Sequence, residues 1–164
     1  MPTTSPRTAA PRAGLDEIDI QLLGLLQSDG RITNAELAKR VGLSAPSVLQ
    51  RIRNLEKSGV IRAYTALLDA EKLGYRLTAL TMVSLALHEA QPVERFRKSV
   101  QEIPEIVETY HVTGEFDFLL KIVVRDIRHY EQLLREKILK IRGISQIKTS
   151  FVLGTTKYST EVRL

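Results

Sequence analysis

Four polar side chains recur at spacings of 3, 1 and 3 along one short segment: Ser47, Gln50, Arg51 and Asn54. Their chemistry suits the edges of nucleic-acid bases. A carboxamide pairs bidentately with adenine, a guanidinium with guanine, and a hydroxyl donates or accepts. Val48, Ile52 and Leu55 fall between them at spacings of 4 and 3, an apolar stripe on the opposite side of a helix. One side is thus built for a core and the other for base edges. Lys57 and Arg62 suit backbone phosphates, as do the free amides at the start of the helix, from Ser44 and Ala45 to Ser47. From Ser44 to Arg62 there are four basic residues (Arg51, Arg53, Lys57, Arg62) against the single acid Glu56. This local excess is a large part of the whole chain's formal charge of +5.

Other chemistry is poorly supported. The three histidines, His88, His111 and His129, lack metal-ligand spacing. No phosphate loop, nucleophile elbow or paired-carboxylate site stands out, so no catalytic residue and no metal site is expected. There are no cysteines to form disulfides or thiolate sites, which fits a reducing cytoplasm. The first residues have no apolar stretch of the secretory type, and the apolar run near Leu77–Leu87 is too short for a bilayer. Together these predict a soluble cytoplasmic protein with no membrane partner.

The elements that must carry the polar stripe are three short helices. Asp16 caps the first, whose Ile18, Leu22, Leu25 and Leu26 share a face, and Ser28-Asp29-Gly30 ends it. Thr33-x-x-Glu36 is a capping box opening a second helix over Asn34–Val41, with Leu37, Ala38 and Val41 inward. Gly42 and Leu43 alone separate it from Ser44, the cap of the third. Pro46 sits in that helix's first turn, where its missing N–H costs little, and Ser58-Gly59 ends it. Two helices joined by a tight glycine turn make a helix-turn-helix, whose second helix enters the major groove. A plain three-helix bundle with a solvated face is the alternative. Ahead of the helices, residues 1–14 read as a flexible basic arm. After them, Val60–Leu68 reads as a strand and 69–74 as a polar connection.

The second half alternates strand and helix signals. Leu77–Leu87 reads as a strand; Val93, Phe96, Val100 and Ile103 mark a helix face. Ile106–Val112 and Phe116–Val124 are strands about a turn at Thr113–Glu115. Ile127, Tyr130, Leu134, Ile138 and Ile141 mark another helix, broken by Gly143, and Ile144–Leu153 is a last strand. The order βαββαβ is that of a ferredoxin-like unit, with one sheet face under two helices and the other left for a partner. The fold class is therefore α+β. The expected domains are a helix-turn-helix unit over 15–63, a linking strand and connection over 64–74, and a ferredoxin-like domain over 75–164.

Three stretches carry a family resemblance: LDEIDIQLLGLLQSDGRITNAELAKRVGLS from Leu15, VLQRIRNLEKSGVIRAYTALLD from Val48, and HVTGEFDFLLKI from His111. On these the chain resembles the Lrp/AsnC family of bacterial and archaeal feast/famine transcription regulators. The resemblance implies a winged helix-turn-helix followed by a RAM/ACT-like effector domain. It also implies pairing through the sheets into dimers that assemble further, commonly to octamers, on double-stranded DNA at the nucleoid. Amino acids or related metabolites would be the effectors, with no other cofactor.

In that family a Gly-x-x-Asp turn lines the effector site, here Gly114-Glu115-Phe116-Asp117. Glycine lets backbone approach a small ligand, and the Asp117 carboxylate can pair with an α-ammonium group. The resemblance places the opposite wall around Leu139 and Phe151. Ser150-Phe151 departs from the aromatic-then-aliphatic pair of the leucine-responsive type, which argues against leucine itself. His111 lies beside this turn and is either a ligand contact or a packed residue at a strand end. Two other readings fit the same fold: an enzyme like the siroheme decarboxylases, and an architectural protein that wraps DNA without sequence preference.

Overall fold

Local capping fixes where each helix begins. The chain, described here by a computed structural model that covers residues 14–86 and 90–164, opens with α1 over Glu17–Ser28. The Asp19 amide donates to the Asp16 carboxylate at 2.8 Å, and the Asp16 amide donates back to Asp19 at 3.3 Å. Helix α2 spans Asn34–Val41. The Thr33 hydroxyl accepts from the Glu36 amide at 3.2 Å, but Glu36 does not return the bond: its carboxylate accepts from Arg40 Nε at 3.1 Å. The expected capping box is therefore half made, because the one-turn ion pair competes for the carboxylate. Gly42, at φ 70°, makes the left-handed turn that lets Ser44 cap α3, Ala45–Lys57.

These helices close on Leu22, Leu37, Ala38, Val48 and Ile52. Leu22, Leu37 and Val48 are fully buried, each contributing about 1.5–3 kcal/mol by its removal from water. Val60–Leu68, expected as a strand, has no ladder in the chain. It leaves Tyr64, Leu67 and Leu68 exposed. A strand exists only with a neighbour to pair its amides, and among the described residues no strand takes that place.

The remaining elements form a second compact unit, Leu68–Lys157; the first comprises the helices and also Tyr158–Leu164, a segment the sequence reading had left with the C-terminal domain. In order they are β1 (Leu77–Leu85), α4 (Ala90–Gln101), β2 (Ile106–His111), β3 (Phe118–Val124), α5 (Ile127–Glu136), a single 3-10 turn (Ile138–Lys140) and β4 (Ile144–Phe151). The strands lie in the order β2-β3-β1-β4, every neighbour antiparallel, as a split βαβ unit requires. The period of two decides the faces. Ala79, Thr81, Val83 and Leu85, with Phe118, Leu120, Ile122 and Val124, are buried with Phe96, Val100, Tyr130 and Leu133 of the helices. The Thr81 hydroxyl, fully buried among them, bonds Tyr130 Oη at 3.1 Å and Thr149 Oγ1 at 3.2 Å. Leu80, Met82, Leu119, Lys121 and Val123 alternate onto the opposite face.

Several boundaries differ from the sequence reading; β1 ends at Leu85 and β2 at His111. Helix α5 stops at Glu136, and Ile127 is exposed; Ile138 and Ile141 are buried from the 3-10 turn instead. The tighter repeat of three residues keeps positions three apart on one side. Strand β3 begins at Phe118, because the Asp117 amide turns aside to donate to the Val83 carbonyl at 3.0 Å. Strand β4 ends at Phe151, short of Leu153. The arm over residues 1–13, Leu87 and His88 lie outside the described residues.

Candidate functional site

Helix α3 presents Ser47, Gln50, Arg53, Asn54 and Lys57 to solvent, while Val48, Ile52 and Leu55 lock its other side into the bundle. The polar side chains are organised among themselves. The Ser44 and Ser47 hydroxyls bond at 2.8 Å, and the Ser47 amide donates to Ser44 Oγ at 3.3 Å. Gln50 Nε2 donates to Asn54 Oδ1 at 3.1 Å, tying the two carboxamides into one pair a turn apart. Holding them in register lowers the ordering cost of meeting a base edge. Ala45 is half-buried beside the bundle, and Arg62 is exposed beyond the helix end.

Arg51 requires a correction. Its guanidinium is turned onto the start of α1, 2.6 Å from Asp16 Oδ2 and 2.8 Å from Asp19 Oδ1. The Asp19 amide, and then Arg51, hold the Asp16 carboxyl below its ordinary range. In this chain without DNA, the guanidinium spans two carboxylates and joins α3 to α1. The spacing contained the reason: position 51 is three from Val48 and four from Leu55, on the flank of the apolar stripe. Arg53 is three from Gln50 and four from Lys57, at the centre of the exposed ridge, and no hydrogen bond or ion pair among the described residues engages it. In the sequence Arg53 stands out only as charge; on the helix it is the guanidinium of the polar ridge.

The predicted effector residues do not converge within one chain. The Gly114–Asp117 turn is fastened to the end of β1: the Leu85 amide donates to Asp117 Oδ2 at 2.7 Å, and Ser84 Oγ to the Glu115 carbonyl at 3.4 Å. Phe116 is 9% exposed, with Lys148 Nζ 5.9 Å from its ring centre. Phe151 pairs instead with Ala79 and meets the Tyr130 ring edge-on at 5.3 Å. From Ala79 to Leu85 is six residues of strand, about 20 Å, so Phe151 and the turn mark opposite ends of β1. Leu139 is 58% exposed on the 3-10 turn.

Two expectations about the turn also change. Asp117, assigned to an effector's ammonium group, already fixes the turn to β1. Gly114 has open space where a side chain would begin; what demands glycine is its φ of 124° rather than a close approach.

His111, exposed at the end of β2, is stacked on Phe118 at 4.8 Å, with Arg97 3.2 Å from its Nδ1. His129 lies 3.7 Å from Glu105, which also accepts from Lys137 at 2.9 Å. Among the described residues no group of His, Asp or Glu is disposed to hold a metal ion, and no helix is long and apolar enough to cross a membrane.

Comparison with known proteins accounts for both units. Residues 15–62 match the winged helix-turn-helix DNA-binding profile, and residues 78–162 match the Lrp/AsnC ligand binding domain. The chain is 42% identical over 154 residues to the leucine-responsive regulatory protein of Escherichia coli, covering 93% of each. It is 39% identical over 153 residues to that of Rhizobium meliloti, covering 93% of this chain and 98% of the other. Among solved structures, a transcriptional regulator from Neisseria meningitidis in complex with L-Met superposes with a TM-score of 0.85 at 36% identity, covering 91% of this chain and 96% of the other.

Proposed function

The chain belongs to the Lrp/AsnC family of DNA-binding transcription regulators, and we propose that it reads DNA through the ridge Ser47, Gln50, Arg53, Asn54 and Lys57. The observation that carries this reading is the division of α3 into a side locked in the core and a pre-ordered polar side bearing an unengaged guanidinium. Gln50, Asn54 and Arg53 address base edges; Ser44, Ser47, Lys57 and Arg62 address phosphates. The test is binding to a specific and a scrambled duplex across a range of salt. Arg53→Ala loses about 1–3 kcal/mol of discrimination, while Arg51→Ala lowers stability and leaves the ratio of the two affinities in place. An unchanged ratio in Arg53→Ala would move base reading off this ridge.

The second unit binds an amino acid or related metabolite as effector, the class that the L-Met complex of the Neisseria relative exemplifies. Because the turn and Phe151 stand at opposite ends of β1, the effector site is completed between copies of the chain. The Gly114–Phe116 turn of one copy supplies one wall and the Leu139 or Phe151 region of another supplies the other. The sheet face of Leu80, Met82, Leu119 and Val123 is the dimer surface, and dimers assemble further, to octamers in the reading the family suggests. The protein acts on the nucleoid in the cytoplasm and is not an enzyme. Light scattering with and without the amino acid that raises the melting temperature tests this assembly; a monomer at micromolar concentration would refute it.

A further inference from the structure

The segment Tyr158–Leu164 groups with the three helices. It is extended, belongs to no ladder, and its Val162 side chain is 66% exposed. One side chain of α1 grips it from both sides of a single residue. Gln27 Nε2 donates to the Val162 carbonyl at 3.0 Å, and Gln27 Oε1 accepts from the Val162 amide at 2.7 Å. That pair of bonds is what an opposing strand residue offers in an antiparallel ladder, here supplied by a carboxamide. The chemistry is selective: a carboxylate lacks the donor, Lys and Arg lack the acceptor, and Asn is one methylene shorter. Leu23, one turn before Gln27 on the same flank of α1, is only 8% exposed yet stands outside the three-helix core.

We infer that the Leu23–Gln27 flank of α1 is a docking surface for an extended peptide, and that its occupant is this chain's own segment Tyr158–Leu164. The chain passes between its two units twice, at Leu67–Leu68 and at Lys157–Tyr158. With the peptide docked, the DNA-reading unit is attached at both crossings; with it released, at one. Two hydrogen bonds make a weak contact for a free peptide. The six residues 152–157 after β4 keep this one at a high effective concentration, which favours docking within the chain over docking between chains.

The chain contains no cysteine, so a pair can be placed cleanly in the full-length protein. The variant carries Ser28→Cys with Val162→Cys, which leaves Gln27 and the Val162 backbone in place, and is treated with a short bis-maleimide, then denatured and mapped by peptide mass. The expected product joins positions 28 and 162 at the mass of one chain. A product at twice that mass would show the segment docking on another copy and overturn the assignment of its occupant. Absence of either product, with both cysteines reactive toward a single maleimide, would overturn the docking surface. Hydrogen exchange of the C-terminal peptide in a Gln27→Ala protein, which keeps Val162 intact, reads the same contact. Exchange at least tenfold faster than in the parent chain is expected, and equal rates would refute the grip.

Discussion

Replacing Asp117 by alanine separates a sheet role from a ligand role. In the structure its carboxylate accepts the Leu85 amide at 2.7 Å. Leu85 is 2% exposed at the irregular end of the β1–β4 register. Water has little access to that amide, so its loss is not made good by solvent. A hydrogen bond to a charged acceptor contributes about 1.5–3 kcal/mol, and a buried orphaned donor stays at the upper part of that range. With a guanidinium slope of roughly 3 kcal/mol per molar for a unit this size, the unfolding midpoint of the second unit falls by about 0.5–1 M. Asp117→Asn retains a neutral acceptor and loses about half as much. The assay is guanidinium unfolding of each variant without effector, followed by titration with the active amino acid. A midpoint for Asp117→Ala within 0.2 M of the parent, together with a lost effector response, would show that the carboxylate serves the ligand and refute the sheet role.

Lys57→Ala and Arg62→Ala should weaken specific and scrambled duplexes alike, each lowering the slope of log affinity against log salt by about 1, as measured by fluorescence anisotropy. Thr81→Val removes one member of the buried hydroxyl cluster while Tyr130 and Thr149 still bond each other at 2.5 Å. Its cost in calorimetry or denaturant unfolding is therefore held to about 1 kcal/mol, and combining it with Thr149→Val, which strands the Tyr130 hydroxyl, costs more than the two separate losses. Burial pushes the Glu105 carboxyl up, but hydrogen bonds from Lys137 and its own amide, with the charge of His129, bring it below the ordinary glutamate range. A depressed folded value means this contribution is full at neutral pH and fades as pH falls through that value. Denaturation midpoints followed into acid should thus decline less steeply in Lys137→Met than in the parent chain.

The helices were legible because their signals are local. Asp16, Thr33 and Ser44 each sit where a cap must be, and the periods of Leu22, Leu37 and Val48 define the core without reference to anything distant. The four sheet strands were legible in type and order, and only their ends moved. What the sequence could not reveal was competition between partners. Glu36 had two uses and took Arg40; Arg51 had two faces open to it and took Asp16 and Asp19. Asp117 looked like a ligand contact because nothing in the chain order announces that Leu85, thirty-two residues earlier, has an amide in need of an acceptor. Nothing in the sequence around Gln27 marks it, since the Val162 backbone it holds lies 135 positions away. The linker is not a strand for a related reason: Tyr64 and Leu67 have strand composition, but pairing belongs to two segments, and no described residue pairs with this one.

The length of β1 has a consequence for how a cell would be read by this protein. The turn at Leu85 and the ring at Ala79 lie too far apart for one small metabolite to bridge, so on the proposed reading each sensing pocket would consume surfaces from more than one chain. Occupancy is then governed by mass action in two variables, the metabolite and the regulator itself. At low copy number the same amino-acid pool would go unnoticed; at high copy number it would register. A gene that controlled its own synthesis through such a sensor would be setting its detection threshold along with its abundance.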